Sequence, residues 1–261
     1  MKKEFCIEDG CYQVKCRLFF GDEDSVDHVV LCCHGFAGTK ESRASTLLAE
    51  RILSKCPGTV VVTFDWPCHG KDAQRELKSD VCCTYMGLMV KYLLEKYPGR
   101  ALYLYATSFG AYLTLRYIHE NGNPFRKIVL RSPAVNMYDV LTKNIISPDD
   151  LAVLQKGQDV LAGFARKVQI SNRFCDELRA FDATQIDYSM FADAILVIHG
   201  ISDEIVPIDA VFSFVKKNST SFIPVEGADH RFIDPGQMEV VIKETLAFFG
   251  LSCASEVKGT R

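Results

Sequence analysis

Three residues of this 261-residue chain, Ser108, Asp203 and His230, have the types and the order needed for nucleophilic acyl transfer. Ser108 stands in Ala106-Thr107-Ser108-Phe109-Gly110, between an apolar stretch at 101–105 and a helix-like stretch from Ala111 to Glu120. Small residues two before and two after a serine allow a sharp strand-to-helix turn, a nucleophile elbow, in which larger side chains would strike the neighbouring elements. A serine hydroxyl is a poor nucleophile at neutral pH unless a base takes its proton and a third group orients that base. Asp203 falls just beyond an apolar run at 194–198, and His230 just beyond another at 221–225. In an open parallel sheet such loops share one edge, where ligands bind.

Each residue also has an ordinary structural reading. A serine there can be a helix cap, an aspartate after a strand a turn former, and a histidine in a Gly/Asp loop simply exposed. Joint occurrence in order favours the Ser108–His230–Asp203 assembly. For the acid, Asp203 is preferred because it comes first after its strand, with Glu204 and Asp229 as adjacent alternatives. The chemistry further needs backbone N–H groups aimed at a developing oxyanion. Phe109, following the nucleophile, supplies one, and Phe36 in His34-Gly35-Phe36-Ala37-Gly38 supplies the other. His34 reads as a brace for that loop. Cys68-His69 reads as loop structure, since adjacent side chains cannot normally face each other for proton transfer. Trp66 and Phe36 are candidates to line an apolar pocket.

The elements that must position these residues alternate. Strand-like runs at 28–33, 59–64, 101–105, 127–130, 194–198 and 221–225 are separated by amphipathic stretches near 42–55, 80–97, 109–121, 208–217 and 236–249. That rhythm predicts an α/β fold with a mostly parallel sheet and helices on both faces. Residues 4–20 predict an antiparallel hairpin at one edge. Between Pro133 and Ala194 no strand is evident, and helix-like pieces fall near 149–156, 158–167 and 173–180. A structureless loop of that length is unusual, so the interval reads as an inserted cap. The expected organisation is a core of residues 1–135 and 194–252, a small helical cap insertion at 136–193, and a flexible tail at 253–261.

Composition narrows the functional classes. A 48 % hydrophobic and 24 % charged chain is ordinary for a globular protein, and a net charge of −3 gives no case for a nucleic-acid partner. No apolar run approaches the ~20 residues that span a bilayer. The start, Met1-Lys2-Lys3-Glu4-Phe5, lacks the apolar core of a signal peptide. Eleven scattered cysteines, an odd number with no CxxC pair, read as reduced thiols of a cytoplasmic protein rather than disulfides or a zinc site. A flat edge strand could pair between chains, giving a homodimer.

Five segments together resemble the α/β-hydrolase superfamily: His34-Gly35-Phe36-Ala37-Gly38, Asp65 through His69-Gly70, the Ser108 elbow, His199-Gly200 through Asp203 to Val206-Pro207, and Gly227-Ala228-Asp229-His230. The resemblance spans about 25–250. Within the superfamily the chain looks like the serine aminopeptidase S33-like and monoglyceride-lipase-like hydrolases, and most like bacterial cinnamoyl (feruloyl) esterases, through the oxyanion segment, Ser132-Pro133-Ala134, the cap length and the ending at 227–232. It implies an eight-stranded fold with a lid and ester hydrolysis through an acyl-enzyme on Ser108, without cofactor or metal. The implied substrate is a small-molecule ester with a small, medium or aryl acyl group, hydroxycinnamoyl included. Tyr138 and Asp139 are possible counterparts of lid groups that recognise an aryl hydroxyl. Departures are Ala106 for the usual Gly, Thr107 for His, Phe109 for Gln or Met, and Cys68 for Gly. An S33-type peptidase, with cap acids Asp149, Asp150, Asp176 and Glu177 meeting a substrate amine, and a non-catalytic binding protein of the same fold are the alternatives.

Overall fold

A computed structural model describes residues 1–22, 25–70, 76–164 and 166–251 of the chain. The tail expected at 253–261 lies outside the described residues. Among the described residues ten strands and eight α-helices follow in order: β1 (Lys2–Asp9), β2 (Tyr12–Phe20), β3 (His28–Cys33), α1 (Arg43–Lys55), β4 (Thr59–Phe64), α2 (Ser79–Lys96), β5 (Ala101–Thr107), α3 (Phe109–Asn121), β6 (Lys127–Arg131), α4 (Met137–Val140), α5 (Pro148–Gln155), β7 (Val160–Ala162), β8 (Val168–Ile170), α6 (Asn172–Ala180), β9 (Ile195–Gly200), α7 (Ile208–Asn218), β10 (Ser221–Val225) and α8 (Pro235–Phe249). Eight strands form one sheet in the order β1-β2-β4-β3-β5-β6-β9-β10. Only β2 runs against its neighbours, pairing antiparallel with both β1 and β4, while every pairing from β4 to β10 is parallel. The edge hairpin expected at 4–20 is β1 and β2, closed by a two-residue turn whose Gly10 has φ +55°.

The central strands are buried on both faces, which is why they read as continuous apolar runs. All six residues of β4 are buried. Successive side chains alternate between two cores. Val29, Leu31 and Cys33 of β3 join the cluster that holds α2, α3 and α7, while Val30 and Cys32 join the one that holds α1 and α8. Burial pushes the thiols of Cys32 and Cys33 well above the ordinary cysteine range, and all ten described cysteines are free. Among the described residues no helix is long and apolar enough to cross a membrane.

Between β6 and β9 lie α4, a π-helical turn, α5, the β7–β8 hairpin, α6 and two short 3₁₀ turns. The helical pieces expected near 149–156 and 173–180 are α5 and α6. The one expected at 158–167 is instead the antiparallel β7–β8 pair. Val160, Ala162, Val168 and Ile170 are buried, whereas Leu161 and Gln169 between them are exposed. Strands of three residues are too short for this two-residue alternation to stand out from a helical pattern.

Candidate active site

Ser108 is the single residue between β5 and α3, with φ +51° and ψ −114°. A non-glycine residue in this region costs about 1–3 kcal/mol and persists only where its surroundings over-determine it. Here the Ser108 N–H donates to the Arg131 carbonyl at 3.0 Å, and the Tyr112 N–H donates to the Ser108 carbonyl at 3.1 Å. Gly110 explains the need for a small residue at +2. A Cβ there would sit 2.6 Å from the His34 carbonyl oxygen and 2.8 Å from that of Cys33. The first turn of α3 therefore lies directly on the end of β3, and this fixes the elbow against the loop that carries Phe36.

The loops after β9 and β10 bring the acid and the base to the elbow. His230 Nε2 is 3.1 Å from Ser108 Oγ, and its Nδ1 is 2.8 Å and 3.1 Å from the two carboxylate oxygens of Asp203. The arrangement requires Nδ1–H to donate to Asp203, leaving Nε2 to accept the serine proton. Asp203 Oδ1 also accepts from the N–H groups of Ile205 and Val206, at 3.0 and 2.8 Å. Burial opposes the carboxylate charge. The His230 hydrogen bond and charge, with the backbone donors, outweigh it and hold Asp203 below its ordinary pKa. Of the alternatives, Glu204 is exposed, and Asp229 turns back to cap its own loop at the N–H groups of Arg231 and Ile233.

Two neutral imidazoles hold the Phe36 loop. His34 Nδ1–H donates to the Gly35 carbonyl at 2.8 Å, and its Nε2 accepts the Trp66 N–H at 3.3 Å. His69 Nδ1–H donates to the Pro67 carbonyl at 2.8 Å, and its Nε2 accepts the Ala37 N–H at 3.0 Å. Burial lowers His34 to about 4 and His69 to about 3, so both stay uncharged. A buried ion pair adds a third tie: Asp65 accepts from the Lys40 backbone N–H at 2.7 Å and from its Nζ at 3.1 Å. Neither the Phe36 nor the Phe109 N–H is used in a hydrogen bond among the described residues. Gly35 lets the loop approach the nucleophile, since a Cβ there would lie 3.3 Å from Ser108 Cβ.

Three residues with no role expected from sequence support the site, His199 among them although it opens one of the family-like segments. Buried His199 donates to the Val206 carbonyl at 3.0 Å and lies 3.7 Å from Asp203 Oδ2, behind the acid. Arg131, at the end of β6, donates to the Arg231 carbonyl at 3.2 Å, and its guanidinium lies 5.2 Å from the Phe232 ring centroid. Its backbone thus holds the elbow while its side chain holds the His230 loop. Lys40 pairs with an aspartate 25 positions away, beyond the reach of any local pattern.

The expected pocket residues fall out differently. Trp66 is fully buried, edge-on to Phe64, and its indole N–H donates to the His34 carbonyl at 2.8 Å, so it is a strut under the loop and lines no open pocket. A large flat side chain with one donor suits either role in sequence. Tyr138 accepts from Arg179 at 2.7 Å, and Asp139 pairs with Lys143 at 2.9 Å on the surface of α4. Phe36 and Phe109 meet edge to face at 5.9 Å, and Phe174 of α6 packs on Phe109 at 6.1 Å. Two shallow surface concavities lie elsewhere, one at Pro224, Glu226 and Val240, the other at Asp80, Lys91 and Asn121. Ser108 is only 9 % exposed. The site is therefore defined by the geometry of its residues.

Residues 28–174 match the family model described as the alpha/beta hydrolase fold, and the chain belongs to that family. No curated protein matches it. Among solved structures, Est1E from Butyrivibrio proteoclasticus with bound ferulic acid is similar, at TM-score 0.73 and 19 % identity over 95 % of this chain and 98 % of that one. Mouse alpha/beta hydrolase domain-containing protein 10 aligns at TM-score 0.70 and 12 % identity over 95 % and 98 %. A monoacylglycerol lipase from Paleococcus ferrophilus aligns at 0.63 and 17 % over 92 % and 100 %. At such identities the likeness is one of fold.

Proposed function

We propose that this chain is a serine hydrolase of carboxylic esters, acting through an acyl-enzyme on Ser108. The observation that carries the reading is the single imidazole of His230 spanning Ser108 Oγ at 3.1 Å and Asp203 at 2.8 Å. In this mechanism His230 takes the hydroxyl proton as Ser108 Oγ attacks the ester carbonyl, and Asp203 stabilises the imidazolium that forms. The unused N–H groups of Phe36 and Phe109 receive the developing oxyanion. His230 then protonates the leaving alcohol, and a water activated by the same imidazole releases the acid. No step calls for a metal or an organic cofactor.

The acyl group is small or medium, or aryl, because aromatic side chains already fill the shoulder of the nucleophile. A hydroxycinnamoyl ester is the favoured aryl case, by likeness to Est1E with its ferulic acid. Residues 136–193 serve as the lid. The cap acids give the peptidase reading little support, since Asp176 pairs with Arg179, and Glu177 accepts from Ser79 and Arg173. Hydrolysis of p-nitrophenyl acetate, butyrate and methyl ferulate tests the proposal. Turnover should vanish in Ser108→Ala, and the wild type should label with a fluorophosphonate. Unchanged turnover in the folded Ser108→Ala variant would refute it.

A further inference from the structure

Gly163, which follows β7, rests on the loop that carries Phe36. A Cβ on Gly163 would lie 2.9 Å from Ala37 Cβ and 2.4 Å from the Arg166 carbonyl oxygen. Only glycine, at φ +126°, lets the hairpin come so close. The Arg166 backbone carbonyl thus packs on Gly163, which in turn packs on Ala37, the neighbour of Phe36.

Nε of Arg166, like that of Arg131, is sealed from solvent and has no hydrogen-bond partner. Arg17 and Arg116 are paired with carboxylates, and Arg131, whose Nε is also unpartnered, still donates through Nη1 to the Arg231 carbonyl. No carboxylate pairs with Arg166 among the described residues. The acids of the site are committed elsewhere, Asp65 to Lys40 and Asp203 to His230. The positive charge of Arg166 reaches both His34 and His69, adding to the burial that keeps them neutral. The hairpin connection beside the oxyanion loop therefore carries a cation that no described residue neutralises. Leaving such a donor unpaired is costly, and a planar guanidinium is suited to a carboxylate.

Resting on the ester-hydrolase reading, we infer that Arg166 is a specificity residue that binds a carboxylate carried by the substrate, so that the preferred substrates are anionic esters. The carboxylate could sit on the acyl side or on the alcohol side of the ester, and matched pairs of probes separate the two. p-Nitrophenyl valerate and the p-nitrophenyl monoester of glutarate differ by a carboxylate on the acyl chain. Phenyl acetate and m-acetoxybenzoate differ by one on the leaving group.

The wild type should favour the anionic member of at least one pair in kcat/KM. Arg166→Gln should lower that anionic-to-neutral ratio about tenfold or more, the usual worth of a charged hydrogen bond. Arg166→Lys, which keeps a point charge, should retain part of it. Equal slowing of both members would mean that the charge acts on the oxyanion in general, and would overturn the inference. So would a ratio that stays within about twofold of wild type. A readout without turnover separates this from failure of the hydrolase reading itself. Glutarate should raise the melting temperature of Ser108→Ala more than butyrate does, and that difference should disappear when Arg166→Gln is added. A difference that survives Arg166→Gln, or no difference at all, counts against the site whether or not the wild type cleaves any ester.

Discussion

The two imidazoles under the Phe36 loop make the stability of this fold depend on pH in a way that can be worked from the structure. His34 is lowered to about 4 and His69 to about 3, against about 6.5 for an imidazole in an unfolded chain. Between those values the unfolded state binds more protons than the folded one, so stability falls as pH falls. It is fully present above about 6.5 and is lost as pH drops toward the folded values. From about pH 8 to about pH 5, an imidazole that stays neutral when folded withdraws about 2 kcal/mol, so the pair withdraws about 4 kcal/mol. That is a large part of the roughly 5–15 kcal/mol that stabilises a typical domain. His199, also lowered by burial, acts in the same direction. Asp203 has a separate window: its lowered pKa contributes stability above about 3.9 that is lost only as pH falls through its folded value.

His69→Gln isolates one contribution. A glutamine carbonyl can still accept the Ala37 N–H, but it has no proton to take up in acid. Equilibrium urea unfolding of wild type and variant at about pH 8 and about pH 5 gives four free energies. The variant should start less stable, because a longer amide replaces a fitted ring. Its loss between the two pH values should nevertheless be about 2 kcal/mol smaller than that of wild type. Equal losses in the two proteins, within about 0.5 kcal/mol, would show that His69 is not held neutral by its burial and would refute the argument.

Three further outcomes follow from the same geometry. Asp203→Asn keeps the shape of the acid but reverses the polarity of its contact with His230 Nδ1, so kcat on a p-nitrophenyl ester should fall by about a thousandfold or more in a variant that still folds. Gly110→Ala places a methyl group against the His34 and Cys33 carbonyls, at distances no Cβ tolerates, and should cost more than about 3 kcal/mol in urea unfolding or abolish soluble expression. Arg131→Met frees the His230 loop from β6, so kcat should fall more than KM rises, and hydrogen exchange at 229–233 should accelerate; unchanged exchange there would remove Arg131 as a positioning residue.

The strands were legible where burial on both faces left a continuous apolar run, and Thr59–Phe64 and His28–Cys33 have the same bounds in sequence and structure; so does the edge strand Ser221–Val225, although only its last residue is buried. The loops that follow such strands are legible too, because a parallel sheet sends them all to one edge. Ser108, Asp203 and His230 could therefore be placed side by side although 122 positions separate the first from the last. Trp66 shows the limit of residue type as a guide. Its size and polarity suit a pocket wall, and what makes it a strut is the His34 carbonyl that accepts its proton.

The cap shows a different limit. Its hairpin strands are three residues long, and Val160-Leu161-Ala162 reads as readily in a helix as in a strand. What defines the hairpin is Gly163 meeting Ala37, a contact across more than a hundred positions that leaves no periodic trace. Arg166, whose carbonyl packs on the same glycine, is hidden by the same absence of pattern. The chemistry of the core follows from strand order and can be read along the chain. The choice of substrate depends on which cap residues close over that core, and it becomes visible only once Gly163 is seen against Ala37 and Phe174 against Phe109.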